Sequence, residues 1–447
     1  MNPNNVFDVN KLVTDKVYAL ENNINVIALK SMLFKKLTKS LRDTKPDEND
    51  WLNKVTELKK SIHEEEDNSS RFILRYDKKY LNDDNNDSLG LFRSLITDGT
   101  KILSFSPPKS TKLNVFKSNS EADNLEYLEY VEGTMINMYH DNTWKIATRS
   151  SIGADVKFYK ESTKTFKGMF SEAFSEAKLD FSMFSKDYCY SFVLQHPENR
   201  IVVPFTESKI ILTNIYKCDG FLVKEIDFND ATIKWIKDAD REKINHPRDI
   251  RDVIGLNNNN NSNNNNNSNN NIEDMIKSIS RGVDYKIVGM VIYNRNKGIR
   301  YKVRNPDYER VRQLKGNSPK IQYRYYTLRK TGDVGRYLKY YPESKNKFTE
   351  LKTQLHNWTY NLWVNYINCF VKKEKSLKSY PFEFRTHMFN LHSIYLNQLR
   401  NDGYIVTKRV VIDYANNLPC EYLMSSINYP LRKGGILKNI TEDLQKL

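Results

Sequence analysis

Cysteine is scarce in this chain of 447 residues: Cys189, Cys218, Cys369 and Cys420 are the only four. None stands within metal-ligand spacing of another along the sequence, so no zinc motif is expected. Their scarcity fits a reducing compartment. Long apolar runs are lacking as well. No stretch reaches membrane-spanning length, and the polar opening from Met1 to Val9 holds no apolar signal core. The expectation is a soluble intracellular protein. An acidic excess is also missing. Lys and Arg number 70 against 55 Asp and Glu, a formal net charge of +15. Such an excess favours a polyanionic partner, because neutralising phosphates releases condensed counterions. The plainer alternative is a basic solvated surface with no partner.

What is present is ordinary for a soluble globular protein: 39% hydrophobic and 28% charged residues. The length allows two or three domains. Aromatics are 12%, led by 28 Tyr, ample for packing and for base stacking. Residues 1–66 read as a helical N-terminal region, with Val26, Ile27, Leu29, Met32, Leu33 and Leu37 at helical spacing. Residues 67–346 read as an antiparallel-sheet domain, with short β-rich runs at 101–106, 134–139, 209–216, 285–293 and 299–303. Within it, 257–271 is Asn broken only by Ser262 and Ser268. That tract has nothing apolar to bury and reads as a disordered surface insertion. Residues 347–447 read as an all-helical C-terminal domain. Leu351, Leu355, Trp358, Leu362, Tyr366 and Phe370 form one apolar stripe; Met388, Leu391, Tyr395 and Leu399 form another. His387 and His392 are five apart, the wrong spacing for a metal pair on one helix face.

Five segments stand out, and their order matters more than any one of them. Arg93 and Ser104-Phe105-Ser106-Pro107-Pro108-Lys109 come first. Tyr130-Val131-Glu132-Gly133-Thr134 follows, then Thr148-Arg149-Ser150-Ser151-Ile152-Gly153. Pro197-Glu198-Asn199-Arg200-Ile201-Val202 is the fourth. The fifth pairs Gly289-Met290-Val291 with Tyr301-Lys302-Val303-Arg304. This order resembles the RNA ligase family of T-even bacteriophages that repairs cut transfer RNA, in the divergent form found in large DNA viruses. There an Arg and a Pro-x-x-Lys element precede a Lys-x-Asp-Gly-Ser nucleophile motif. A Ser-Lys-Gly-Ser turn, a Glu-Phe-Val-x-Pro-x-Asn-Arg-Ile-Val segment, Glu-Gly-x-Val and Lys-x-Lys come after. The resemblance runs from about Phe92 to Tyr308, and Asn199-Arg200-Ile201-Val202 matches closely.

The resemblance implies an α+β chain: an antiparallel-sheet nucleotidyltransferase (ATP-grasp-like ligase) domain with N-terminal helices and the helical C-terminal domain. It implies ATP and Mg2+ as cofactors if the protein is active, and none otherwise. It implies RNA as partner, no membrane, and a place in a virion or the infected-host cytoplasm. In such enzymes a neutral lysine attacks the α-phosphate of ATP, and AMP then passes to an RNA 5′-phosphate. Carboxylates bind ribose and metal, and late basic residues stabilise charge growing on the phosphates. Carried over, Arg93, Glu132, Gly133 and Arg149 fall on nucleotide-contacting positions. Lys109, Tyr130, Lys302 and Arg304 fall on the catalytic ones.

Three departures are severe. Tyr130 stands where the nucleophilic lysine belongs, and a phenol is mostly un-ionised at neutral pH. Val193 and Val288 stand where the family has glutamates, and valine cannot ligate a hard metal ion. The nucleophile and two carboxylates are gone, while the anion-binding cations remain. Two functional readings stay open: an RNA ligase-like enzyme with altered catalysis, Lys109 replacing the nucleophile, or a pseudoenzyme that binds RNA or nucleotide, down to a structural virion protein. A run from 315 to 330 interleaves cations with aromatics, and Arg324, Arg329 and Lys330 suit a single-stranded RNA track. Its bland counterpart is a half-buried strand with a basic outer face.

Overall fold

The computed structural model describes residues 6–8, 58–65, 69–83, 85–86, 88–118, 125–158, 163–228, 242–256, 272–295, 298–318 and 320–432. The apolar helical pattern of 26–37 and the Asn tract of 257–271 lie outside the described residues. The chain divides into two compact units, Met1–Arg310 and Val311–Leu447. That break falls earlier than the 346/347 boundary expected from the sequence. The uninterrupted run of helices after the last strand already begins at Pro306, in a stretch whose scattered Tyr and Arg hide its periodicity.

Thirteen strands occur among the described residues, all in the first unit. They are β1 (Val6–Asp8), β2 (Leu58–Glu64), β3 (Ser70–Tyr76), β4 (Leu95–Thr97), β5 (Ile102–Ser104), β6 (Leu125–Glu129), β7 (Thr134–Asp141), β8 (Thr143–Ala147), β9 (Tyr188–Gln195), β10 (Lys209–Asp219), β11 (Leu222–Ile226), β12 (Gly289–Asn294) and β13 (Ile299–Arg304). Residues 6–8 and 58–64 are therefore strand where the sequence reading had helix. β2 pairs along its whole length with the largely buried β3, whose Phe72, Ile73 and Leu74 lie in the core, and that pairing outweighs local preference.

The strands form three antiparallel sheets, ordered β1-β11-β10-β9-β7-β8, β13-β12-β6 and β2-β3-β4-β5. The six-stranded sheet is buried on both faces, as its alternating residues show. Tyr139, Ala147, Cys189, Tyr216 and Val223 point to the four-stranded sheet and share a core with Ile73, Leu74, Phe92, Leu95 and Phe105. Ile136, Met138, Tyr190, Phe192 and Leu194 point the other way, against helix α2 and its Phe170 and Phe174. Helix α1 is Leu113–Ser118 and α2 is Phe166–Glu176. The three-stranded sheet packs Met290, Ile292 and Val303 on Phe116 of α1, with Ile250 of α3 (Ile250–Val253) and Met275 of α4 (Ile272–Ser280). β9 and β10 also bring the Cys189 and Cys218 sulfurs to 3.9 Å, a closeness that sequence spacing conceals. All four cysteines are free thiols.

Beyond Val311 the described residues are helical and carry no strand. After α5 (Pro306–Lys315) come α6 (Ile321–Thr331), α7 (Val334–Tyr340), α8 (Lys345–Tyr366), α9 (Phe382–Ile394), α10 (Lys408–Asn417) and α11 (Cys420–Ile427). The expected stripe on α8 is buried: Leu351, Leu355, Trp358, Leu362 and Tyr366. Met388 and Leu391 are buried on α9. His387 is a satisfied core residue, its ring nitrogens 2.9 Å from the Tyr414 hydroxyl and 2.7 Å from the Ser426 hydroxyl. No described helix is long and apolar enough to cross a membrane.

Candidate functional site

The basic residues of β13 set the site. Its sequence Ile-Arg-Tyr-Lys-Val-Arg alternates, so Arg300, Lys302 and Arg304 share one face. The opposite face carries Tyr301 and Val303 into the core. β12 pairs with β13, placing Gly289 opposite Arg304. Its other edge holds β6, and the Tyr130 N–H extends that ladder by donating to Gly289 O at 2.9 Å. Gly289 has φ +138°, and a Cβ there would run into the Val303 carbonyl. This close backbone approach brings Tyr130 beside the β13 cations. Lys302 Nζ lies 4.3 Å from the Tyr130 ring centroid, and the Arg304 guanidinium 5.9 Å from it. Both are within cation–π range.

Arg93 and Lys109 approach from the four-stranded sheet. Lys109 N–H donates to Gly90 O at 2.9 Å. The Pro107 carbonyl accepts from Arg93 Nη1 at 3.4 Å and from Arg300 Nη2 at 3.1 Å, and the Pro108 carbonyl accepts from Arg300 Nη2 at 2.5 Å. The Pro-Pro element thus acts through two acceptors as well as through stiffness. Arg149, on the exposed turn after β8, donates from Nε to Arg93 O at 3.2 Å and stacks 5.2 Å from the Tyr76 ring. Lys109, Tyr130, Arg93, Lys302 and Arg304 therefore gather in one place, with Arg149 attached through Arg93. The sequence reading missed Arg300 and Tyr76. Arg300 had a signal: it stands two residues before Lys302 on an alternating strand.

The electrostatics of the cluster are those of crowded like charges. Burial, then Arg300, Arg93, Arg304 and Lys109, holds the Lys302 ammonium well below the ordinary lysine range. Burial, then Arg93 and Arg300, lowers Lys109. Burial and Arg300 bring Arg93 down to about 10. Burial works against the charge of Arg304 too, but its hydrogen bond to the Tyr130 hydroxyl and the field of that group raise it. A small cavity of about 20 Å³ lies under Pro107–Lys109, lined also by Asn214, Tyr216, Glu225 and Arg300. It has room for roughly one water and none for a nucleotide base.

The nearby carboxylates Glu132 and Glu309 already have partners. Buried Glu132 accepts from Val202 N–H at 2.5 Å and from Val203 N–H at 3.2 Å, pinning the segment after Asn199. Glu309 pairs with Arg304 at 3.2 Å. Val193 and Val288 are buried and apolar. Gly133, at φ +149°, leaves no space for a Cβ against Val193 and the Leu194 carbonyl. Among the described residues, no group of three or more His, Cys, Asp or Glu is placed to hold a metal ion. Magnesium wants near-octahedral oxygen ligation with one or two carboxylates. The side chains around Tyr130 do not fit it; they fit phosphate.

Arg324, Arg329 and Lys330 belong to the second unit, on helix α6 rather than a strand. Arg324 is buried, its Nη2 donating to Ser318 O at 2.6 Å. Arg329 donates to the Asn416 side chain. Lys330 Nζ donates to the Asn417 and Leu418 carbonyls at 3.3 and 3.0 Å. These three cations tie α6 to its own unit.

No family model matches the chain. A protein named RNA ligase from Rhodothermus phage RM378 is 32% identical over 103 residues, which is 21% of this chain and 24% of that protein. The matched part is thus about a quarter of that relative's length. Among solved structures, an archaeal ATP-dependent RNA ligase, form 1, aligns over 84% of this chain and 74% of its own at 13% identity and a TM-score of 0.33. A score that low does not define a shared fold. Part of the chain is RNA ligase-like in sequence, and its first unit is α+β with antiparallel sheets.

Proposed function

We propose that the chain is an RNA ligase-like protein of nucleotidyltransferase fold whose first unit binds phosphate groups of RNA or a nucleotide without adenylating itself. One observation carries this reading: Tyr130 stands under Lys302, inside a cluster of Arg93, Lys109, Arg300 and Arg304. Cations crowded at like-charge distance recover that cost when an anion joins them. The site keeps what holds phosphate and has a phenol where a covalent step would need an amine. The local likeness to a phage protein named RNA ligase supports RNA as the polyanion.

The test is incubation with labelled ATP and divalent metals, followed by denaturing electrophoresis. The reading expects no covalent band, together with reversible binding of 5′-phosphorylated RNA that weakens as salt rises. Lys302→Met or Arg304→Ala should cost at least about tenfold in affinity, the worth of one charge-assisted hydrogen bond.

A second reading keeps catalysis. The amines of Lys109 and Lys302 are both pushed toward their neutral, nucleophilic form, Lys302 the more strongly. An acid-labile phosphoamide mapped to either lysine, and lost when that lysine is replaced, would overturn the silent site in favour of this one.

A further inference from the structure

We propose that the cluster around Tyr130 takes an oligophosphate free of divalent metal, and that magnesium competes with the protein for this ligand instead of bridging the two. The inference rests on the reading of the cluster as a phosphate site and adds the ionic form of the ligand.

Arg300, Lys302 and Arg304 project from one face of β13, and Arg93 meets Arg300 on the Pro107 carbonyl. Lys109 follows directly on that Pro-Pro element, its ammonium donating to Ser110 O at 3.1 Å and lying in the field of Arg93 and Arg300. A metal-bound triphosphate would carry a doubly charged cation into this array. It would also need protein oxygens. Glu132 gives its oxygens to the Val202 and Val203 amides, and Glu309 is held by Arg304. Val193 and Val288 supply none. A free oligophosphate brings about twice the negative charge of its magnesium complex and offers every oxygen to the guanidinium and ammonium donors. Phosphate chains of this kind occur in nucleoside triphosphates and at triphosphorylated RNA 5′ ends. The cluster recognises the chemistry that both share.

Equilibrium binding to the full-length wild-type protein tests this. Inorganic tripolyphosphate, ATP and a 5′-triphosphorylated oligoribonucleotide are each titrated in EDTA and in excess magnesium at matched ionic strength. A 5′-hydroxyl oligonucleotide is the control. Magnesium should weaken binding at least about tenfold, the factor carried by one charge-assisted hydrogen bond. The ligand that binds most tightly in EDTA identifies the source of the phosphates. Affinity unchanged or improved by magnesium overturns the proposal and leaves the phosphate site standing. Absence of binding in both buffers removes the phosphate site as well. Because the decisive comparison uses wild-type protein, a variant that fails to fold does not blur it.

Discussion

Removing the ring of Tyr130 tests whether this residue now serves as a platform for Lys302. The perturbation is Tyr130→Leu, which keeps an apolar side chain and deletes the π face. Lys302 Nζ is 4.3 Å from the ring centroid and half-buried. An exposed cation–π pair is worth about 0.5–1 kcal/mol and a desolvated one about 2. The coupling between residues 130 and 302 should therefore be about 1–2 kcal/mol. A double-mutant cycle with Lys302→Met isolates it from the separate consequences of either change. Because the chain has two units, one global transition is a poor gauge. Hydrogen exchange of the 299–304 peptide in the intact protein reads the local opening equilibrium instead. Loss of the coupling should raise exchange there by a factor of roughly 5–30. Tyr130→Phe is the control. It keeps the ring and loses only the hydroxyl that bonds Arg304, so its coupling to Lys302 should match wild type. If the leucine and methionine changes add within about 0.3–0.5 kcal/mol, Tyr130 does not support Lys302 and the platform reading fails.

Gly289→Ala should lower the melting temperature of the first unit by about 4–8 °C, from about 2 kcal/mol of strain at φ +138°; a wild-type melt would show that the close approach to Val303 is not required. The depressed Lys302 makes stability depend on pH: the unfolded lysine, near 10.5, binds its proton where the folded one does not. Stability from this group therefore rises with pH between the lowered folded value and 10.5, and Lys302→Met should flatten that slope in urea titrations across the alkaline range. Anion binding in the same range should take up protons, read by calorimetry in buffers of different ionisation enthalpy, and zero uptake would mean that Lys302 does not face the ligand. Arg324→Ala should cost about 1–3 kcal/mol in the second unit through its lost bond to Ser318, while RNA affinity and its salt slope stay unchanged; a weakened slope would restore the RNA track.

Residues whose role follows from backbone periodicity are legible in the sequence. The α8 stripe follows from a buried face that repeats every three to four residues, and the strands at Thr134–Asp141, Lys209–Asp219 and Ile299–Arg304 from short β-rich runs bounded by turn residues. Residues whose role follows from what they touch are not. Arg324, Arg329 and Lys330 look like a basic track along the chain, yet carbonyls and an amide of their own unit receive them. Glu132 looks like a ligand for ribose or metal, yet two backbone amides far along the sequence receive it. Composition reports charge but not the partner of each charge, and long-range hydrogen bonds decide that partner.

The distinction also explains how the gathering of Arg93, Lys109, Tyr130, Lys302 and Arg304 could be anticipated while Arg300 went unseen. The first five are carried by the order of motifs, which a resemblance supplies. Arg300 needs the strand to be drawn, since only β13 shows that positions 300, 302 and 304 project together. Once they do, the tyrosine at 130 acquires a physical meaning. A lysine there would add one more cation about 4 Å from Lys302, worth roughly 4 kcal/mol of repulsion at an effective dielectric near 20. Tyrosine replaces that repulsion with an attractive ring face. The phenol at 130 thus adds no cation to the crowded group and meets Lys302 with its ring.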